Sequence, residues 1–183
     1  MKYILFGILA FTYSHVYAEP VFRDSYAVDL TLNDGSKFQK EIKKVPYVAD
    51  GVIYIFPGES FSVGIEIGEK GIKEIYYDKG KSSKIGLDFN FKQEKLDDGK
   101  RMMMLTVVSR LPQTLSYEAL MVIPEVQGVK KTSVVPIEAG LSSYESWPHP
   151  IMQLALRNFK LEDKNKKSNQ PVQPTSLRSS ADR

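Results

Sequence analysis

The sequence predicts an all-β fold, a single antiparallel β-sandwich, on three observations. Apolar residues recur with a period of two along most of residues 19–161. The runs are short and are separated by Gly, Pro, Asn and Asp, the residues that turn a chain. The length of 183 residues, 42% of them hydrophobic, supports one ordinary core and not two large ones.

The first strand is marked by Tyr26, Val28, Leu30 and Leu32 on one face, against Asp29 and Thr31 on the other. Asn33-Asp34-Gly35-Ser36 supplies the turn, and Phe38 and Ile42 resume the pattern. Val52 to Phe56 is a continuous apolar run, short enough for a central strand, and Pro57-Gly58 ends it. Phe61, Val63, Ile65 and Ile67 alternate with Ser62, Gly64, Glu66 and Gly68. Ile72 to Tyr77 and then Ile85, Leu87, Phe89 and Phe91 repeat that theme. Arg101 to Ser109 is apolar on both faces and reads as a central strand, broken by Leu111-Pro112-Gln113. Leu115, Tyr117, Ala119, Met121 and Ile123 form one face of the next strand, stopped by Pro124. Ser133-Val134-Val135 reads as a short edge strand beside Pro136. Ile151 to Leu161 fits a strand better than a helix, since no helix cap precedes it and its neighbours are strands.

About nine strands spaced by short turns suit a sandwich with Greek-key connections in an immunoglobulin-like arrangement. The Cys…Trp…Cys signature of true immunoglobulin domains is missing, and a small barrel would use the same strands. The domain spans residues 19–161. Beyond it, residues 162–183 hold only Val172, Leu177 and Ala181 as apolar residues, too few to offset the entropy of ordering them. The sequence therefore predicts a disordered tail.

Residues 1–18 read as an export signal. Lys2 gives the positive start, Tyr3 to Thr12 the apolar stretch, and Val16-Tyr17-Ala18 a cleavage site before Glu19. The stretch is about half of the roughly 20 residues that span a bilayer. A membrane contact is expected only if this segment stays uncleaved. The expected location is periplasmic or secreted. Absence of cysteine then means a fold resting on its packed core, without disulfides or thiolate chemistry.

Loss of Lys2 on cleavage lowers the formal charge from +3 to +2, too small a field to imply nucleic acid as a partner. Lys37, Lys40, Lys43 and Lys44 are read as solubilising charges on strand edges.

The richest segment is Gly140 to Pro150. It holds Tyr144, Glu145, the only tryptophan, Trp147, and the only histidine of the mature chain, His149. Stiffened aromatics suit a binding surface for a protein or a sugar, so Tyr144, Glu145, Trp147 and His149 are the candidate binding residues. The other reading makes the segment a corner between sheets, with Trp147 plugging the core. Ser142, Ser143 and Ser146 crowd Glu145 and His149 too closely in sequence for a hydrolytic triad, and G-x-S-x-G is missing. No catalytic residue is expected, and no metal or cofactor.

Two further chemistries remain open. Met102-Met103-Met104, with Met121, Met152 and His149, raises a copper carrier, although alternate strand positions face opposite ways. Glu59, Glu66, Glu74, Glu118 and Asp88 could converge as glycosidase carboxylates. The sequence favours a non-enzymatic binding or assembly module of a bacterial cell envelope, with another envelope or periplasmic protein as its partner.

Overall fold

The computed structural model describes residues 19–162; the predicted export segment and residues 163–183 of the predicted tail lie outside them. Glu162, the first residue of that tail by sequence, donates its N–H to the Thr114 carbonyl at 2.8 Å. Twelve strands and no helix occur among the described residues, so the all-β class is as expected. They are β1 (Tyr26–Thr31), β2 (Lys37–Ile42), β3 (Val48–Ala49), β4 (Val52–Ile55), β5 (Glu59–Gly68) and β6 (Gly71–Tyr77). The second half adds β7 (Gly86–Lys95), β8 (Arg101–Ser109), β9 (Leu115–Val122), β10 (Lys130–Thr132), β11 (Ser142–Trp147) and β12 (Gln153–Leu161).

Ten strands form two five-stranded antiparallel sheets, β10-β9-β12-β4-β3 and β11-β8-β7-β5-β6, and β1-β2 is a separate hairpin. The period-two pattern decides the packing. Ile53, Ile55, Ala119, Leu154 and Leu156 of the first sheet share one buried cluster with Val63, Leu87, Phe91, Leu105 and Val107 of the second. Val28 and Leu30 bring the hairpin into the same core. This is consistent with a sandwich. Two sheets of five are not the seven or nine strands of an immunoglobulin domain, so the likeness stays at the level of architecture.

Several elements depart from the sequence pattern. The short strand expected at Ser133–Val135 lies earlier, at Lys130–Thr132. The backbone of Val135 instead donates its N–H to Glu145 Oε1 at 2.7 Å, as the chain passes from β10 in one sheet to β11 in the other. Strand β8 is central, between β7 and β11, but buries only one face. Met103, Leu105 and Val107 are inside, while Met102 and Met104 are half-exposed and Val108 is 40% exposed.

Two glycines in the second sheet are there for space. A Cβ on Gly86 would lie 2.1 Å from the Val63 carbonyl oxygen, and one on Gly64 would enter the Tyr76 ring. The four lysines at 37, 40, 43 and 44 are all exposed.

Two ion-pair groups were not legible in the sequence. The Arg23 side chain, 2% exposed, donates through Nε to Glu59 Oε1 at 2.6 Å. Its other nitrogens donate to the carbonyls of Val45 (3.0 Å), Pro46 (2.9 Å) and Tyr54 (2.8 Å). The rings of Tyr47 and Phe56 lie 4.4 and 4.8 Å from its guanidinium carbon, close enough for cation–π attraction. This clasp fixes the residues just before β1 to the start of β5.

The second group centres on Asp78, which lies beside Lys79-Gly80-Lys81, a stretch that by sequence suits a charged, solvated turn. Asp78 is buried; its carboxylate accepts from Ser82 and Ser83 and lies 3.6 Å from Arg110, which also pairs with Asp88. Desolvation lifts the Asp88 carboxyl, but hydrogen bonds from Ser62 and Arg110 and the charges of Arg110 and Lys81 outweigh it and hold it below its ordinary value. Asp78 is also held low, its desolvation outweighed by hydrogen bonds from Ser83 and Ser82.

A carboxyl lowered on folding stabilises fully above its unfolded value, about 3.9, and loses that contribution as pH falls through the folded one. Stability should therefore drop on acidification below about pH 4. Arg110→Met should lower the melting temperature at neutral pH and flatten the acid decline. Parallel melting curves for the two proteins from neutral to acid pH would refute the pairing.

Candidate functional site

The Gly140–Pro150 segment is strand and corner together. Strand β11 forms the edge of the second sheet, with Tyr144 opposite Thr106 and Trp147 opposite Met103 on β8. Alternation then separates the four candidate residues. Tyr144 stands 66% exposed on the outer face, while Trp147 is 6% exposed. The indole meets Phe91 edge-on at 6.4 Å and donates from Nε1 to Thr132 Oγ1 at 2.8 Å, joining the end of β11 to β10 across the two sheets. Glu145 is half-buried and occupied by the Val135 N–H. His149, beyond the strand, places Nε2 3.5 Å from Met121 Sδ. Four residues close in sequence thus point to three places. The corner reading accounts for Trp147, and Tyr144 alone keeps the geometry of a surface contact.

The two alternative chemistries also meet the geometry. Met103 faces the core and Met102 and Met104 the other side, so the methionine run does not converge. Among the described residues no group of three His, Cys, Asp or Glu is placed to hold a metal ion. Of the carboxylates, Glu59 pairs with Arg23, Glu66 with Lys73, Asp88 with Arg110 and Lys81, and Glu118 with Lys131 and Arg157. Glu59, Asp88 and Glu118 are thus held in separate ion pairs, while Glu66 and Glu74 lie opposite each other in the β5–β6 ladder. No helix among the described residues is long and apolar enough to cross a membrane.

The more substantial concavity lies on the opposite side of the sandwich. Along one seam, the Trp147–Thr132 and Glu145–Val135 hydrogen bonds close β11 against the β10 side. Along the other, the edge strands β3 and β6 leave a groove of about 780 Å³. Val48, Ile72, Ile75 and Phe159 give it apolar walls, and Glu19, Asp50, Lys73 and Glu74 supply charge.

Two strand bulges converge there. The β5–β6 register shifts after Glu66, so that Ile67 pairs with Ile72 and Glu66 with Glu74, leaving Lys73 as an extra residue. This bulge puts Ile72 and Ile75 on one face, which a regular strand would not do. The β12–β9 register shifts between Arg157 and Lys160, with Asn158 at φ 55°. Asp50 and Gly51, with φ of 51° and 71°, form the two-residue β3–β4 turn, the favoured geometry for an Asp-Gly hairpin. Sequence reasoning missed the groove because a bulge leaves no mark in the apolar pattern beyond a one-residue slip. That slip is visible in retrospect at Ile72-Lys73-Glu74-Ile75.

Compared with known proteins, the chain matches no family model, no curated protein and no solved structure.

Proposed function

We propose that this protein is an exported, non-enzymatic binding or assembly module of a bacterial cell envelope, and that a protein partner docks in the β3–β6 groove. The observation that carries the reading is the convergence of two strand bulges on one apolar-walled concavity. Bulges are over-represented at sheet edges and beside functional sites, where they re-aim side chains. Export rests on the pattern of residues 1–18, and the partner class on the lack of a convergent catalytic set among the described residues.

The test is capture from the native envelope by the full mature chain, with two variants alongside. The double variant Ile72→Thr, Ile75→Thr keeps β-branched side chains, so β6 should persist, while its apolar wall is lost. Capture should weaken by about tenfold or more, the loss expected of roughly 1.4 kcal/mol at a contact, with the melting transition retained. If Tyr144→Ala abolishes capture and the groove variant does not, docking is on the outer face of β11 and the groove reading is wrong.

A further inference from the structure

We infer a second binding site, independent of the groove: the free edge of β1, which would take an extended, acidic peptide segment of a partner protein as an added strand. Strand β1 pairs with β2 from Tyr26↔Ile42 to Thr31↔Lys37. Its other edge faces a hollow of about 430 Å³. At one end of that edge Thr31 is already engaged. Its N–H donates to Gln93 Oε1 at 2.9 Å and its carbonyl accepts from Gln93 Nε2 at 2.8 Å. The carboxamide thus satisfies Thr31 as the backbone of a neighbouring strand would.

Backbone groups in an antiparallel pair alternate in direction, both groups of one residue pointing to the same side. Since Thr31 points away from β2, so do Asp29 and Ala27. The bond from Leu32 N–H to the Ser36 carbonyl, on the β2 side, fits the same alternation. Ala27, Asp29 and Thr31 all line the hollow. Two successive sets of backbone donors and acceptors therefore stand open beyond the Gln93 clamp. That is the arrangement an added strand uses.

The charge around the hollow selects the occupant. Lys37, Lys92 and Arg101 line it with Asp29 as the only acid. Asp29 lies 3.6 Å from Lys37, Glu94 holds Lys92, and Arg101 has no ion-pair partner among the described residues. The cross-strand pairs Phe91↔Leu105, Gln93↔Met103 and Lys95↔Arg101 put Arg101 on the inward face of the second sheet, the face that carries Gln93. Main-chain bonding supplies the extended conformation, and the uncompensated charge of Arg101 favours acidic side chains.

The test titrates the full mature chain with three capped ten-residue peptides: alternating Thr and Glu, the same peptide N-methylated at every central residue, and alternating Thr and Lys. Binding is followed by NMR together with amide exchange at Ala27 and Asp29. The acidic peptide should bind at millimolar concentration or below and slow exchange at both amides. The N-methylated and lysine peptides should bind at least about tenfold more weakly, and Arg101→Glu should cost the acidic peptide about tenfold. Ala27→Pro removes one edge-facing donor without touching the β1–β2 ladder and should weaken binding by a similar factor. The inference is overturned if the acidic peptide does not bind, if it binds without slowing either amide, or if the methylated or lysine peptide matches it. These peptide results stand even if Ala27→Pro fails to fold.

Discussion

Trp147→Ala is expected to destabilise the protein by about 3–5 kcal/mol, the usual cost of removing a large buried aromatic. A domain of this size is stable by only about 5–15 kcal/mol, so the variant should unfold at much lower denaturant concentration. Trp147 is 6% exposed, packs edge-on against Phe91, and through Thr132 is the hydrogen-bonded tie between β11 and β10. Trp147→Phe separates the contributions. It keeps most of the apolar contact and loses the Nε1 bond, worth about 1 kcal/mol, so it should fall between wild type and Trp147→Ala. Since no other tryptophan exists in the chain, red-edge excitation reads this site alone. Native emission should be blue-shifted and move to the red on unfolding. Water-like native emission, with Trp147→Ala melting normally, would show that the indole is outside the core.

Glu59→Gln and Arg23→Met are expected to cost about 3–5 kcal/mol each, because either leaves its partner buried and uncompensated. Arg23 would keep its three carbonyl acceptors in Glu59→Gln but lose the only carboxylate shown with it. The double variant Arg23→Met, Glu59→Met should recover much of the loss, since apolar replacement of a buried pair is often nearly neutral.

Acid pH gives a second readout. Burial pushes the Glu59 carboxyl up, against the opposing pull of the Phe56 N–H and Arg23. Without Arg23 that carboxyl rises further. A folded-state value above the unfolded one, about 4.3, makes stability fall as pH rises between the two. The deficit of Arg23→Met should therefore shrink on acidification, as Glu59 takes up a proton. Chemical denaturation at neutral and mildly acid pH checks this, and an unchanged deficit would mean that Glu59 is not desolvated as placed.

The all-β class was legible because strands such as β8 and β9 bury one face, and that leaves a period of two in the sequence. Phe61-Val63-Ile65 and Leu115-Tyr117-Ala119-Met121 are buried at those positions. Turn residues were equally informative: Gly35 and Gly99 both have positive φ, at 87° and 85°. The ambiguous Ile151–Leu161 segment is strand from Gln153 onward. Sequence could also narrow Trp147 to plug or anchor, but not choose, because a bulky ring beside two prolines suits either.

What only the tertiary structure decided are the relations between strands distant in sequence. Arg23 and Glu59 are 36 residues apart, and Thr31 and Gln93 are 62 apart. A charged or amide side chain carries no local sign of its partner, so Glu59 reads as one exposed carboxylate among many until β5 is set against the chain before β1. The separation of Tyr144 from Trp147 follows from β11 being an edge strand with opposite faces. The groove depends on which two edges, β3 and β6, were left side by side. Local periodicity determines which residues are buried, through the shape of the backbone itself. Sheet order determines what they are buried against, and that depends on closure of long loops and on packing of the whole core.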